Sequence, residues 1–220
     1  MIKRTLGRTG YEVSALGLGG FQFTSMFDVE PEEADAIIDY AIANGVNFID
    51  TAQCYGGGES EAIVGRALQR HLGADKPYVC AKVGHLHEGI LAGMRNPVEA
   101  FQDPKKILAT IKHSMWLMRI DHFDLLLMHE VEREWKADFD TGNCVCMEVL
   151  EQLKKEGIAK YIGGSSWVPI GKPLMLSPAF PPASTGHATF TASGAPSSIV
   201  SAVIHTHFFT LAKSVCYDLH

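Results

Sequence analysis

Short apolar runs alternate along this chain with longer stretches of helical periodicity. Residues 46–49, 78–81 and 123–128 are apolar runs too short for helices, so they read as strands buried on both faces. Amphipathic segments lie between them. From Pro31 the apolar positions Ala34, Ile37, Ile38, Ala41 and Ile42 recur at helical spacing, with proline at the start and Asn44-Gly45 at the stop. Residues 60–71 set Ile63, Val64, Ala67 and Leu68 on one face. Asp103-Pro104 forms an N-cap and first-turn pair, and Ile107, Leu108, Ile111, Met115 and Met118 make an apolar stripe behind it. A further helix is expected over 145–156, ended by Gly157, with a strand near 160–163.

Ahead of these elements, residues 2–6 and 11–14 flank the turn-rich Gly7-Arg8-Thr9-Gly10, which predicts a short β-hairpin. Strand runs then start near residues 15, 47, 78, 123 and 160. Strands alternating with helices imply an α/β protein with a parallel sheet and right-handed crossovers. About five βα units are legible, and then the pattern stops. Three more units at roughly 30 residues each would outrun the 55 residues that follow Ser165. Beyond Val168 only Lys172, Lys213 and Asp218 carry charge, while six of the ten prolines fall there. Solvated helix faces need more charge than that. The expected division is therefore a partial barrel over 1–167 and a divergent segment over 168–220. Within the latter, 168–198 should be irregular or disordered, and 199–216 one short apolar element. A sheet that stops near residue 160 would expose a strand edge, a surface for self-association.

Composition narrows the partners. The 220 residues are 46% hydrophobic, enough for one large core, and the net charge of −6 lacks the basic excess that nucleic acid attracts. No stretch has the roughly 18 uninterrupted apolar residues of a membrane span, and Met1 to Thr5 run into glycine and charge rather than a secretory leader. Cytoplasm is the expected location. The five cysteines are odd in number and irregularly spaced, which favours reduced thiols. Cys144-Val145-Cys146 has no second pair to complete a metal site.

Four polar side chains stand at or just past the ends of the apolar runs: Asp50, Tyr55, Lys82 and His129. On a parallel sheet these positions converge on one rim, where α/β folds place their chemistry. Each alone has a plainer reading as a strand-end cap, a solvated lysine, a packed tyrosine or a core histidine. Together they equip a proton transfer. A lysine ammonium beside a phenol favours the phenolate and lowers the phenol's pKa, and a carboxylate keeps that lysine charged and fixed. His129 is able to hydrogen-bond a carbonyl oxygen or share in the transfer.

Several separated motifs resemble the aldo-keto reductase family, in family order. They are Leu16-Gly17-Leu18-Gly19-Gly20; Gly45-Val46-Asn47-Phe48-Ile49-Asp50-Thr51-Ala52-Gln53-Cys54-Tyr55-Gly56 with Ser60-Glu61; Ala81-Lys82-Val83-Gly84; Asp124-Leu125-Leu126-Leu127-Met128-His129; and Tyr161-Ile162-Gly163-Gly164-Ser165-Ser166-Trp167. The resemblance covers about residues 1–167. It implies a (β/α)8 barrel of TIM type and NADPH-dependent reduction of a small aldehyde or ketone. By motif match Tyr55 is the general acid, Lys82 and Asp50 tune it, and His129 orients the carbonyl. Gly20, Phe21 and Ser165 fall where the family lines the nicotinamide, and Ser166 stands where it usually has the asparagine that holds the carboxamide. The family's contacts to the cofactor phosphates come from late strands and loops, and no counterpart of these is legible after Trp167.

Other readings stay open. Some family relatives are nicotinamide-sensing regulatory subunits, so a non-catalytic binding protein or a defective partial barrel is one alternative. A metal-dependent hydrolase barrel using His85, His87 and His129 is another, although without a bridging carboxylate no metal is assigned. His205-Thr206-His207 is a weaker pair of the same kind. Gly17-Leu18-Gly19-Gly20-Phe21-Gln22 lacks the last glycine of a dinucleotide fingerprint, and Gly56-Gly57-Gly58 lacks the lysine of a P-loop.

Overall fold

The computed structural model describes residues 1–7, 9–84, 102–129 and 144–166, together with the backbone of a strand at Ala188–Thr191. His85, His87, Trp167, His205, His207 and the expected apolar element over 199–216 lie outside the described residues.

The N-terminal hairpin forms as its turn chemistry predicts. Strands β1 (Lys3–Thr5) and β2 (Glu12–Ser14) pair antiparallel, with Arg4 opposite Val13, and the turn between them holds Gly7 and Gly10 at positive φ. The main sheet is parallel and follows chain order: β3 (Leu18–Gly19), β4 (Phe48–Asp50), β5 (Tyr78–Val83), β6 (Phe123–Met128), β7 (Ala159–Ser166) and β8 (Ala188–Thr191). Its register sets Asp50 opposite Cys80, Lys82 opposite Leu127, and Met128 opposite Gly164.

Strand β8 departs from the expectation that this region is irregular. Its backbone pairs with β7 from Gly163 to Ser166, so that part of the edge expected to be exposed carries a partner strand. Ala-Thr-Phe-Thr contains the β-branched and aromatic residues that suit a pleated surface. Its brevity hides it from any periodicity.

Among the described residues four α-helices lie between the strands: α1 (Pro31–Ala43), α2 (Glu59–Arg70), α3 (Pro104–Met118) and α4 (Val145–Lys155). Proline opens both α1 and α3, and the Asp103 side chain accepts a hydrogen bond from the Lys105 N–H at 2.9 Å. The helices bury Ile37, Ile38, Ile63, Val64, Leu68, Ile107, Ile111 and Leu150 against strand residues Ile49, Val79, Ala81, Val83, Leu126, Met128 and Ile162. Burying one such side chain contributes about 1.5–3 kcal/mol.

Alternate strand positions face the other way. Phe48, Cys80, Leu125 and Leu127 form a second cluster with Leu6 and Val13 of the hairpin, bordered by Tyr11, Tyr78 and Tyr161. Tyr11 stacks on Tyr78 with centroids 4.2 Å apart and meets Tyr161 edge-on at 5.2 Å, while the Tyr161 hydroxyl donates to the Thr9 carbonyl at 2.6 Å. The hairpin therefore covers one end of the inner face. Period-two alternation assigns Asp50 and Lys82 to the same inner face, two residues beyond Phe48 and Cys80. Among the described residues no helix is long and apolar enough to cross a membrane.

Candidate active site

The C-terminal strand ends bring the predicted residues together. Asp50 ends β4, Lys82 is the next-to-last residue of β5, and His129 follows β6 with its N–H donating to the Val83 carbonyl at 2.9 Å. All three are buried, at 4%, 3% and 7% exposure. The Lys82 ammonium donates to the Asp50 carboxylate, to the Thr51 carbonyl at 3.1 Å and to the Tyr55 hydroxyl at 3.2 Å. Its three donors are thus all used. The nitrogen also lies 4.9 Å from the centroid of the Tyr55 ring.

Tyr55 is half-buried at the start of a short 3-10 turn, Tyr55–Gly58, in which Gly56, Gly57 and Gly58 all have positive φ. The His129 ring meets Tyr55 edge-on with centroids 5.8 Å apart. Phe21 leans on the same ring at 5.0 Å and is itself met edge-on by Phe27.

The electrostatics depart from expectation in one respect. Lys82 pulls the phenol's pKa down as expected, but burial outweighs it with Asp50 adding in the same sense, and the Tyr55 hydroxyl is pushed up to about 12. The group therefore stays a neutral phenol at physiological pH. Burial works against the charge on Lys82, yet the adjoining Asp50 carboxylate prevails and holds its pKa above the ordinary lysine value.

The residues expected to line a nicotinamide separate into two groups. Phe21 stands beside Tyr55, and Ser165 is buried near the end of β7, one residue past the pairing of Met128 with Gly164. The backbone of Ser166 ends that strand opposite Thr191 of β8. Gly20 answers to packing within the protein. A Cβ there would lie 2.3 Å from Ser60 Oγ and 2.9 Å from the Asp50 carbonyl oxygen. Its missing side chain lets the loop after β3 close onto the base of the site.

Sequence reasoning missed the polar layer beneath. Thr51 and Ser60 share a hydrogen bond at 2.8 Å, and the Gln53 amide donates to Ser114 of α3 at 3.0 Å while accepting from the Gly84 N–H at 3.4 Å. Glu61 is 1% exposed, and its Oε1 has no hydrogen-bond partner among the described residues. Burial pushes its carboxyl up to about 7, offset in part by a hydrogen bond to Ser114. Its place three residues before Val64 and seven before Leu68, on the inward face of an amphipathic helix, was the available signal.

Cys54, Cys80, Cys144 and Cys146 are buried, and form no disulfide among the described residues. The same residues contain no group of three or more histidine, cysteine or acidic side chains able to hold a metal.

Comparison with known proteins agrees with this geometry. The model of the Aldo/keto reductase family matches residues 15–172. An uncharacterized oxidoreductase, YqkF, from Bacillus subtilis is 32% identical over 170 residues, covering 76% of this chain and 49% of the relative. L-galactose dehydrogenase from Arabidopsis thaliana is 30% identical over 162 residues, covering 73% and 47%. The holo form of aldo-keto reductase AKR11C1 from Bacillus halodurans superposes with a TM-score of 0.59 at 29% identity, over 76% of this chain and 50% of that one. The chain thus spans about half the length of the curated relatives it matches. A parallel sheet wrapped by helices, with its polar residues at one rim, defines an α/β protein of TIM-barrel type that holds part of the barrel. The chain belongs to the aldo-keto reductase family.

Proposed function

We propose that this site reduces an aldehyde or ketone to the alcohol, with NADPH as the hydride donor and Tyr55 as the general acid. The observation that carries the reading is the buried Lys82 ammonium held between the Asp50 carboxylate and the Tyr55 hydroxyl. A phenol with a pKa near 12 is protonated at neutral pH, so it is loaded to donate. As a carbonyl oxygen gains charge, the Tyr55 proton moves to it, and the phenolate left behind is stabilised by Lys82 at 3.2 Å. Asp50 keeps that lysine charged throughout. His129, its ring nearly perpendicular to that of Tyr55, orients the carbonyl oxygen by a hydrogen bond.

When bound, the nicotinamide supplies the hydride that reaches the carbonyl carbon. The described rim fits this half of the cofactor: Phe21 offers an aromatic wall beside Tyr55, and Ser165 a hydroxyl at the end of β7. Ser166 would take the place of the carboxamide-binding asparagine, while Gly20 would shape the floor through its packing on Ser60.

The test is oxidation of NADPH by the purified chain with a panel of small aldehydes, beside a fluorescence titration with NADPH. Tyr55→Phe should lower turnover by roughly 10²–10⁴, the range of a positioned general acid, while the chain still folds cooperatively. Undiminished turnover in that variant rejects the assignment. Tight NADPH binding without turnover by the wild type favours the regulatory reading instead.

A further inference from the structure

The residue before Tyr55 also enters the site. Cys54 Sγ lies 3.4 Å from Nδ1 of His129, although 75 positions separate the two in sequence. The thiol is almost fully buried and lies outside both apolar clusters of the described residues. Its backbone shapes the turn that presents the phenol, since the Cys54 carbonyl accepts from the Gly57 N–H at 3.3 Å. One short segment thereby places the Tyr55 ring nearly perpendicular to the His129 ring and a sulfur on that ring's Nδ1.

A neutral imidazole has one N–H and one bare nitrogen, and the hydrogen bond at one nitrogen decides which tautomer is present. A thiol of ordinary pKa, near ~8.5, is protonated at neutral pH. Neutral sulfur is a weak acceptor, whereas a bare imidazole nitrogen is a strong one. We propose that Cys54 is a positioning residue that donates its S–H to Nδ1 of His129, which keeps the ring proton on Nε2 for the substrate carbonyl oxygen. This rests on the reductase reading for its purpose, while the thiol–imidazole bond itself does not.

Long-range proton–nitrogen NMR of the full chain at pH 8 tests it, with the His129 signals identified by their loss in His129→Gln. The wild type should show the Nε2–H pattern. Cys54→Ala should turn it into a mixture of tautomers, and Cys54→Ser, which keeps a donor, should restore it. In the NADPH assay Cys54→Ala should lose roughly tenfold in kcat, the scale of one hydrogen bond, and Cys54→Ser should stay within about twofold. An Nδ1–H pattern in the wild type, or an unchanged tautomer in Cys54→Ala, overturns the proposal. Wild-type protein with the Nε2–H pattern and no NADPH oxidation rejects the reductase reading and leaves the Cys54 bond standing.

Discussion

The two ends of the inner sheet face lie on the same strands and differ in every chemical respect. At the N-terminal end Phe48, Cys80 and Leu125 are sealed by hairpin residues Leu6 and Val13 and by the Tyr11–Tyr78 stack. Two positions further along β4 and β5, Asp50 and Lys82 occupy the same parity, and a buried ion pair replaces the apolar plug. A buried charge pair is weak evidence for stability, because desolvation offsets much of its attraction. The closed end thus contributes stability, and the open end is held in place by the packing around it. Division of labour along one strand is what the fold offers here.

Breaking the ion pair should have the largest effect on folding. Lys82→Met leaves the Asp50 carboxylate buried without its partner, and should cost about 3–5 kcal/mol in urea unfolding. Adding Asp50→Asn to that variant should recover a large part of the loss, and a double variant no more stable than Lys82→Met would show that the pair was not the cause.

Glu61 sharpens the comparison through pH. Its folded pKa of about 7 stands above the ordinary value of 4.5, so the carboxyl costs nothing well below pH 4.5, where it is protonated in both states. As pH rises from there towards 7 the unfolded chain releases the proton first, and a penalty builds to about 3 kcal/mol. Glu61→Gln should therefore raise the unfolding midpoint clearly at pH 8 and hardly at pH 4. An equal gain at both values would place the cause elsewhere.

The smallest effect belongs to the closed end. Tyr11→Leu keeps apolar bulk but loses both ring contacts, and should cost about 1 kcal/mol. NADPH oxidation should be unaltered once the protein is folded, because the ring contacts of Tyr11 are to Tyr78 and Tyr161 at the closed end. A fall in turnover matching that of a rim variant would dissolve the distinction between the ends.

Much of this organisation was legible before any coordinates. Helix periodicity and the proline and glycine punctuation located α1 and α3 closely, and placed α2 and α4 within a residue or so of Glu59–Arg70 and Val145–Lys155. The short apolar runs located the strands, although β5 extends to Val83 and β7 from Ala159 to Ser166, beyond the apolar cores that revealed them. Asp50, Lys82 and His129 were legible because each closes such a run, and Tyr55 because it stands just beyond Asp50. Contacts that depend on sheet register were not. Cys54 with His129, Gln53 with Ser114, and Tyr161 with Thr9 join residues 61 to 152 positions apart, and nothing local marks either partner. The sense of the Tyr55 shift was hidden for a related reason: the neighbouring lysine is visible in the motif, whereas the depth of burial that outweighs it is a property of the packed core.

The turn after Tyr55 has one more implication. With φ of 61°, 63° and 100° at Gly56, Gly57 and Gly58, three successive residues are wound in the sense opposite to an ordinary helix. Room is not the constraint at Gly57, where a methyl group would meet nothing within 4 Å. Mirror-image chirality is. A natural alanine there would carry about 1–2 kcal/mol of conformational cost, while its D-enantiomer would fit the backbone as it stands, so stereochemistry rather than volume limits what can follow the tyrosine.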